Sequence, residues 1–177
     1  QRNSGIKKVM PTLKDDMPTV LIAGGSGLIG GHLTRHFKDR GYRVYKLTRN
    51  PKRHGHIYWD PEAGKIDTKK LDKIDILINL AGENIGAKRW RSKRKEAILN
   101  SRVKSTAFLA SLIPQMPRLN YYIGASGVNC YGNQKGKIYY EEEAYGSDFL
   151  SAVVKEWEGA HQLVTNQVKG AVLRISM

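Results

Sequence analysis

The run Gly24-Gly25-Ser26-Gly27-Leu28-Ile29-Gly30 lies between a short apolar, β-branched stretch, Thr19-Val20-Leu21-Ile22-Ala23, and an apolar-periodic stretch that begins at Leu28. That context constrains the fold more than any other feature, because glycines at these intervals are what a buried strand needs in order to turn directly into a helix. Gly24 permits the tight turn. Gly27 lets backbone approach a pyrophosphate, and Gly30 lets the helix pack close to the strand. The helix start then presents unpaired N–H groups and the positive end of its dipole to phosphates. The motif therefore reads as a dinucleotide-binding loop, the alternative being that the glycines serve only a tight strand-to-helix turn.

The elements that follow alternate. Leu28, Ile29, Leu33 and Phe37 recur at helical spacing, which predicts a helix over 28–40 closed by Gly41. A strand is predicted over 42–47, a third over 56–59, a turn at Pro61 and Gly64, and a buried strand over 75–80. Further on, the pattern predicts a helix over 91–113, a strand over 120–126, a helix over 148–165 and a last strand over 170–176. Strands alternating with helices imply parallel strands joined by right-handed crossovers, hence an α/β fold of the Rossmann type: a doubly wound parallel sheet with helices on both faces. Its ligand site is expected at the carboxyl ends of the strands at 19–23 and 75–80, near the switch point.

The 177 residues suit one domain. Residues 1–16 show neither strand nor helix period and are expected to be a flexible N-terminal tail, with 17–177 forming the cofactor-binding domain. Met17 would suit a natural start. The longest apolar block, Val20 to Gly31, is too short and glycine-rich for a membrane span, so the protein reads as soluble and not membrane-bound. Cys130 stands alone, which excludes an intramolecular disulfide and fits a reducing compartment. A cytoplasmic location is expected; the basic early tail, with Arg2, Lys7 and Lys8 and no acid before Asp15, leaves a mitochondrial or other organelle address as the alternative. No metal site is expected.

The formal charge of +14 would attract polyanions: phosphorylated cofactors, nucleic acid or acidic membranes. Two clusters carry it. At the end of the second strand, an acid would accept hydrogen bonds from a ribose 2′-hydroxyl and repel a 2′-phosphate. Here the sequence has Thr48-Arg49, with Lys52 and Arg53 beyond. Arg49 suits a charge-assisted fork to a 2′-phosphate with Thr48 as a hydroxyl donor, so NADP is favoured over NAD. The other cluster is the run Lys88-Arg89-Trp90-Arg91-Ser92-Lys93-Arg94-Lys95. It reads as a solvated helix face with Trp90 anchoring one side, in preference to a nucleic-acid surface.

The glycine pattern together with Asn79-Leu80-Ala81-Gly82 resembles the extended, NAD-dependent epimerase/dehydratase-like branch of the short-chain dehydrogenase/reductase superfamily. Glu83-Asn84-Ile85, Arg89-Trp90, Ser101-Arg102, Phe149-Leu150 and Trp157-Glu158 narrow the likeness to epimerase-family proteins described as sugar-nucleotide epimerase or cell-division inhibitor. The resemblance spans roughly 18–176. It implies NADP contacts at the glycine loop, at Thr48-Arg49, at Leu80, Ala81 and Gly82, and at Arg102. It also implies that members continue past the strand at Val172-Leu173-Arg174 into a smaller substrate-binding region, so this chain is expected to be a truncated portion whose uncovered sheet edge favours self-association as a homo-oligomer.

Superfamily chemistry needs a Tyr to exchange a proton with a hydroxyl or carbonyl, a Lys four residues later, and a Ser to orient substrate. Ser126, ending its strand, is the candidate Ser. Tyr131 is the candidate Tyr, although Lys135 four residues on lies in the same Gly-rich loop and reads as accidental. The helix at 148–165 offers Phe149, Leu150 and Val153 where the pair belongs, and Lys155 has no Tyr four positions earlier. Either Tyr131 replaces the usual acid, or a later region supplies it, or the chain binds cofactor without catalysis. Glu83 is a candidate base or an ordinary loop acid, and Trp157-Glu158 is assigned to packing. Two function classes follow. One is an NADP(H)-binding epimerase or oxidoreductase acting on an unknown small hydroxyl- or carbonyl-bearing substrate such as a nucleotide sugar. The other is a non-catalytic NADP-responsive binding or regulatory protein.

Overall fold

The first strand forms because all five of its residues are apolar or β-branched and all five are buried: β1, Thr19–Ala23. In the computed structural model, which describes residues 17–132 and 136–176, the chain continues through α1 (Leu28–Asp39), β2 (Arg43–Thr48), β3 (His56–Asp60), β4 (Lys65–Ile66) and β5 (Ile76–Asn79). It then forms α2 (Ser92–Leu112), β6 (Tyr121–Gly127), α3 (Phe149–Thr165) and β7 (Gly170–Ile175). These build one seven-stranded sheet in the order β4-β3-β2-β1-β5-β6-β7. All pairings are parallel except β3 with β4. The chain winds outward from β1 through β2 to β3, then returns to the other side of β1 with β5. The switch point is therefore the crevice where the carboxyl ends of β1 and β5 diverge.

Both faces of the sheet are covered. Val20, Ile22, Val44 and Ile78 meet Leu33 and Phe37 of α1 on one side. Leu21, Tyr45, Leu47, Trp59, Leu77 and Tyr122 pack with Leu109, Leu112 and Val164 on the other. A doubly wound Rossmann-type sheet is thus present. Its helices start where capping and pattern dictate: the Asp148 carboxylate accepts from Ser151 N at 2.9 Å, which fixes the first turn of α3.

Three local features depart from the pattern reading. No helix separates β2 from β3. Because His56 pairs with Lys46, two residues short of the end of β2, the chain climbs back only a short distance, and Gly55 turns it at φ +86°. The predicted turn at Pro61 and Gly64 is the tip of a hairpin, closed by Asp60 Oδ1 accepting from the N–H of Glu62 and Ala63, and it delivers the two-residue β4. In α1 only Leu33 and Phe37 of the apolar series reach the core; Leu28 is 81% and Ile29 40% exposed at the helix mouth.

Candidate cofactor and catalytic site

The glycine loop is held at the switch point by contacts that leave no room for side chains. Gly24 has φ +76°, and a Cβ on it would stand 2.5 Å from the Leu80 carbonyl oxygen. A Cβ on Gly30 would fall on the Gly24 carbonyl oxygen and 2.7 Å from the Gly25 Cα. Gly27 N donates back to Gly24 O at 3.1 Å, then serves as the N-cap of α1 without a side-chain cap bond. With no side-chain cap and no acid in the first turn, α1 keeps its positive end available for an anion.

A cleft of about 410 Å³ opens in front of this loop. Gly24 and Ser26 form one wall, Thr48 and Arg49 the end of β2, Ala81, Gly82 and Glu83 the segment after β5, and Ser101 and Ser105 the facing side of α2. Arg49 is exposed at the rim, while Thr48 Oγ1 accepts from Asn50 N at 3.2 Å. Leu80 and Gly25 stand behind the lining, Leu80 donating its N–H to Ala23 O. Leu28 and Ile29 flank the helix mouth.

The segment after β5 is braced from below. Asn79, fully buried, accepts from Ala81 N at 3.1 Å and donates to Thr106 Oγ1 and Tyr122 Oη. Tyr122 Oη meets His161 Nδ1, and His161 Nε2 reaches Ala125 O at 3.0 Å. Burial pushes the Tyr122 hydroxyl up and the His161 imidazole down to about 4, so this chain is neutral. Gly124 must lack a side chain here, since its Cβ would stand 2.6 Å from the His161 ring. Arg102 lies beneath Gly82 and does not line the cleft: its guanidinium donates to Ile98 O and Glu83 O, each at 3.1 Å, and covers the Trp157 ring at 5.1 Å. Glu83 pairs with Arg94 at 2.8 Å, a hydrogen bond that lowers its pKa and makes it a weaker base.

The run 88–95 is partly anchored. Trp90 Nε1 donates to Ile85 O at 2.8 Å, its ring packs edge-on to Phe149, and Lys95 sits over that same Phe149 ring. Arg94 also donates to Asn84 O. Between Trp90, Phe149, Val128, Asn129 and Asp148 lies a second cleft of about 500 Å³.

Ser126 and Tyr131 come together through two residues that the sequence reading had not assigned to a site. Ser126 is paired in register with Arg174 on β7. The Glu158 carboxylate on α3 accepts from Ser126 Oγ and Tyr145 Oη at 2.5 Å each, and from Arg174 Nε at 2.9 Å and Nη2 at 2.8 Å. Arg174 Nη1 donates onward to Tyr131 Oη at 2.6 Å and to Glu141 O at 2.8 Å. The Tyr131 ring stacks on Tyr139 at 5.0 Å. Burial pushes the Glu158 carboxyl up, but donation from Arg174, Ser126 and Tyr145 outweighs it and holds the group at about 2; Arg174 is correspondingly held above its ordinary value. Of Trp157-Glu158, only Trp157 is chiefly packing, buried with Nε1 donating to Thr106 Oγ1 at 3.2 Å. The signal for the rest was present: an acid beside the apolar face of α3 and an arginine within an apolar strand are a complementary pair. Ser151 occupies the position four before Lys155 and is consumed by Asp148 and Asn129 O. Lys135 lies outside the described residues.

Residues 20–169 match the model of the NAD dependent epimerase/dehydratase family. The chain belongs to that family. An epimerase family protein of Mycobacterium leprae is 32% identical over 142 residues, 80% of this chain and 46% of its own length. Among solved structures, human epimerase family protein SDR39U1 with NADPH superposes with a TM-score of 0.77 at 33% identity, covering 88% of this chain and 52% of that one. The nucleoside-diphosphate sugar epimerase of Corynebacterium glutamicum does so with 0.77 at 35% identity, covering 90% and 34%. The chain thus spans about half the length of the curated relatives it matches. Among the described residues, no helix is long and apolar enough to cross a membrane.

Proposed function

We propose that the chain binds NADP(H) in preference to NAD(H) at the glycine-loop cleft, as part of an oxidoreductase or epimerase acting on a small hydroxyl- or carbonyl-bearing substrate such as a nucleotide sugar. One observation carries this reading: the uncapped helix mouth and an exposed Arg49, which forms no ion pair among the described residues, face the same cleft, where an NAD enzyme would place an acid at the end of β2. The 33% identical human relative solved with NADPH supports it. In this reading the N–H groups of Ser26 to Gly30 hold the pyrophosphate, Arg49 forks onto the 2′-phosphate, and the Asn79-braced segment closes the far wall. A bound nicotinamide supplies hydride exchange. Tyr131 Oη accepts from Arg174, so its own proton is free for a substrate oxygen, and the guanidinium faces the charge left when that proton moves. Glu158 fixes Arg174 and Ser126 in place.

A second reading, a non-catalytic NADP-responsive binding protein, draws on the same network. Ser126 directs its proton to Glu158, and Phe149 and Val153, four residues apart, stand where the Tyr-Lys pair of the superfamily belongs. Calorimetric titration with NADPH and NADH, on the chain and on Arg49→Ala, tests the shared part. NADPH should bind more tightly, and Arg49→Ala should weaken it by about tenfold to a hundredfold, as expected for losing a charged hydrogen bond. Failure of both nucleotides to bind overturns the proposal. Oxidation or reduction of a carbonyl panel, abolished by Tyr131→Phe, separates the enzyme from the binding protein.

A further inference from the structure

Lys46 is out of place for an interior strand. It lies on β2 between Ile22 of β1 and His56 of β3, where an ammonium is costly unless paired. Its methylene stem packs against Gly25, with Cγ 2.9 Å and Cδ 3.0 Å from where a Gly25 Cβ would stand. The second glycine of the loop therefore makes room for this stem, which runs along the glycine loop behind the residues that line the cleft. Lys46 is also two residues before Thr48, and so shares its strand face.

The surroundings are cationic. Burial, then Lys38 of α1 and Arg53 of the β2–β3 connection, lowers the Lys46 pKa, and the same three cations join burial in lowering that of His56. Among the described residues no carboxylate forms an ion pair with Lys38, Lys46, Arg49 or Arg53. His56 Nδ1 is buried with no partner. Lys38, Lys46 and Arg53, with no carboxylate paired to them among the described residues, repel one another in the free protein, and a multiply charged anion reverses the sign of that interaction.

We infer that Lys46 is a specificity determinant of this cleft: its ammonium, emerging past Gly25, joins Arg49 in holding a phosphate monoester on the adenosine ribose. The inference rests on the reading that the glycine loop holds the pyrophosphate. It adds a cation that approaches from the α1 face of the sheet, opposite the Leu47 side that lines the cleft.

The test uses the whole chain as wild type, Lys46→Met and Lys46→Arg, titrated with NADPH, NADH, adenosine 2′,5′-bisphosphate and 5′-AMP. Lys46→Met keeps an apolar stem over Gly25 and removes a repelled charge, so its unliganded melting temperature should be no lower than wild type. It should lose about tenfold or more in affinity for NADPH and the bisphosphate, with NADH and 5′-AMP changed by less than about twofold; Lys46→Arg should retain the preference. Equal weakening of all four ligands by Lys46→Met, or no weakening of any, overturns the inference while leaving the cofactor reading intact. A wild-type chain that binds NADH as tightly as NADPH overturns the NADP reading and this inference with it.

Discussion

Adjacent glycines in α1 should respond to alanine with opposite signs. At Gly30 the added methyl would fall on the Gly24 carbonyl oxygen, with the Gly25 Cα at 2.7 Å and the Gly24 carbonyl carbon at 3.1 Å. Every obstructing atom is backbone, so no side chain can swing away, and helix and loop must separate. At Gly31 a Cβ would meet nothing within 4 Å. Alanine is favoured over glycine inside a helix by about 1 kcal/mol. Gly31→Ala should therefore stabilise by about 0.5–1 kcal/mol. In Gly30→Ala that gain is outweighed by overpacking at the upper end of the usual range, about 3 kcal/mol, because only backbone stands in the way, leaving a net loss of about 2–2.5 kcal/mol. For a chain of this size, 1 kcal/mol moves the melting temperature by about 2–4 °C. Scanning calorimetry should show Gly31→Ala melting about 1–4 °C above wild type and Gly30→Ala about 4–10 °C below. NADPH titration should find binding retained in Gly31→Ala and lost in Gly30→Ala, whose loop no longer presents its N–H groups. If Gly30→Ala melts above wild type and binds NADPH normally, close approach of helix and loop is not why glycine stands at position 30.

Acid should destabilise the fold in two windows. Burial holds His161 at about 4 against an ordinary 6.5, so stability from the neutral ring is complete above about pH 6.5 and is lost as pH falls toward 4. Glu158, at about 2 against an ordinary 4.5, contributes stability that is complete above about pH 4.5 and lost as pH falls toward 2. Urea midpoints measured from pH 7 to pH 3 should fall through both, and a flat profile would contradict the two assignments. Glu158→Gln should cost on the order of 2–3 kcal/mol, the low end for breaking a buried pair because its edge reaches solvent, and urea unfolding at pH 7 reads this directly. Leu109→Ala, at a fully buried core position, should cost about 2–5 kcal/mol by the same assay, whereas a loss below about 1 kcal/mol would show that α2 does not seal that face.

The parts of the fold carried by local pattern were legible. β1, β3, β5, β6, α2 and α3 lie where apolar periodicity and capping residues place them, to within two residues at each end. The glycine loop was legible because its neighbours were. The two-residue β4 is too short to alternate, and the unhelical β2–β3 link depends on pairing His56 two positions behind the end of β2, which no local rule contains. Leu28 and Ile29 matched the helical period but sit at the mouth, beyond the reach of the core. The Ser126, Glu158, Arg174 and Tyr131 network joins residues up to 48 positions apart, on β6, α3 and β7 and in the turn after β6, so only parallel pairing of β6 with β7 reveals it. No local pattern marks Lys46, because its place beside Gly25 depends on how β2 packs against the loop after β1.

The most direct test of the cofactor reading is a residue-resolved NMR titration of the chain with NADPH. The account predicts amide shifts concentrated at Ser26 to Gly30, Thr48 to Asn50 and Ala81 to Glu83. Shifts centred instead on Trp90, Val128 and Phe149, or spread along the basic run 88–95, would contradict it.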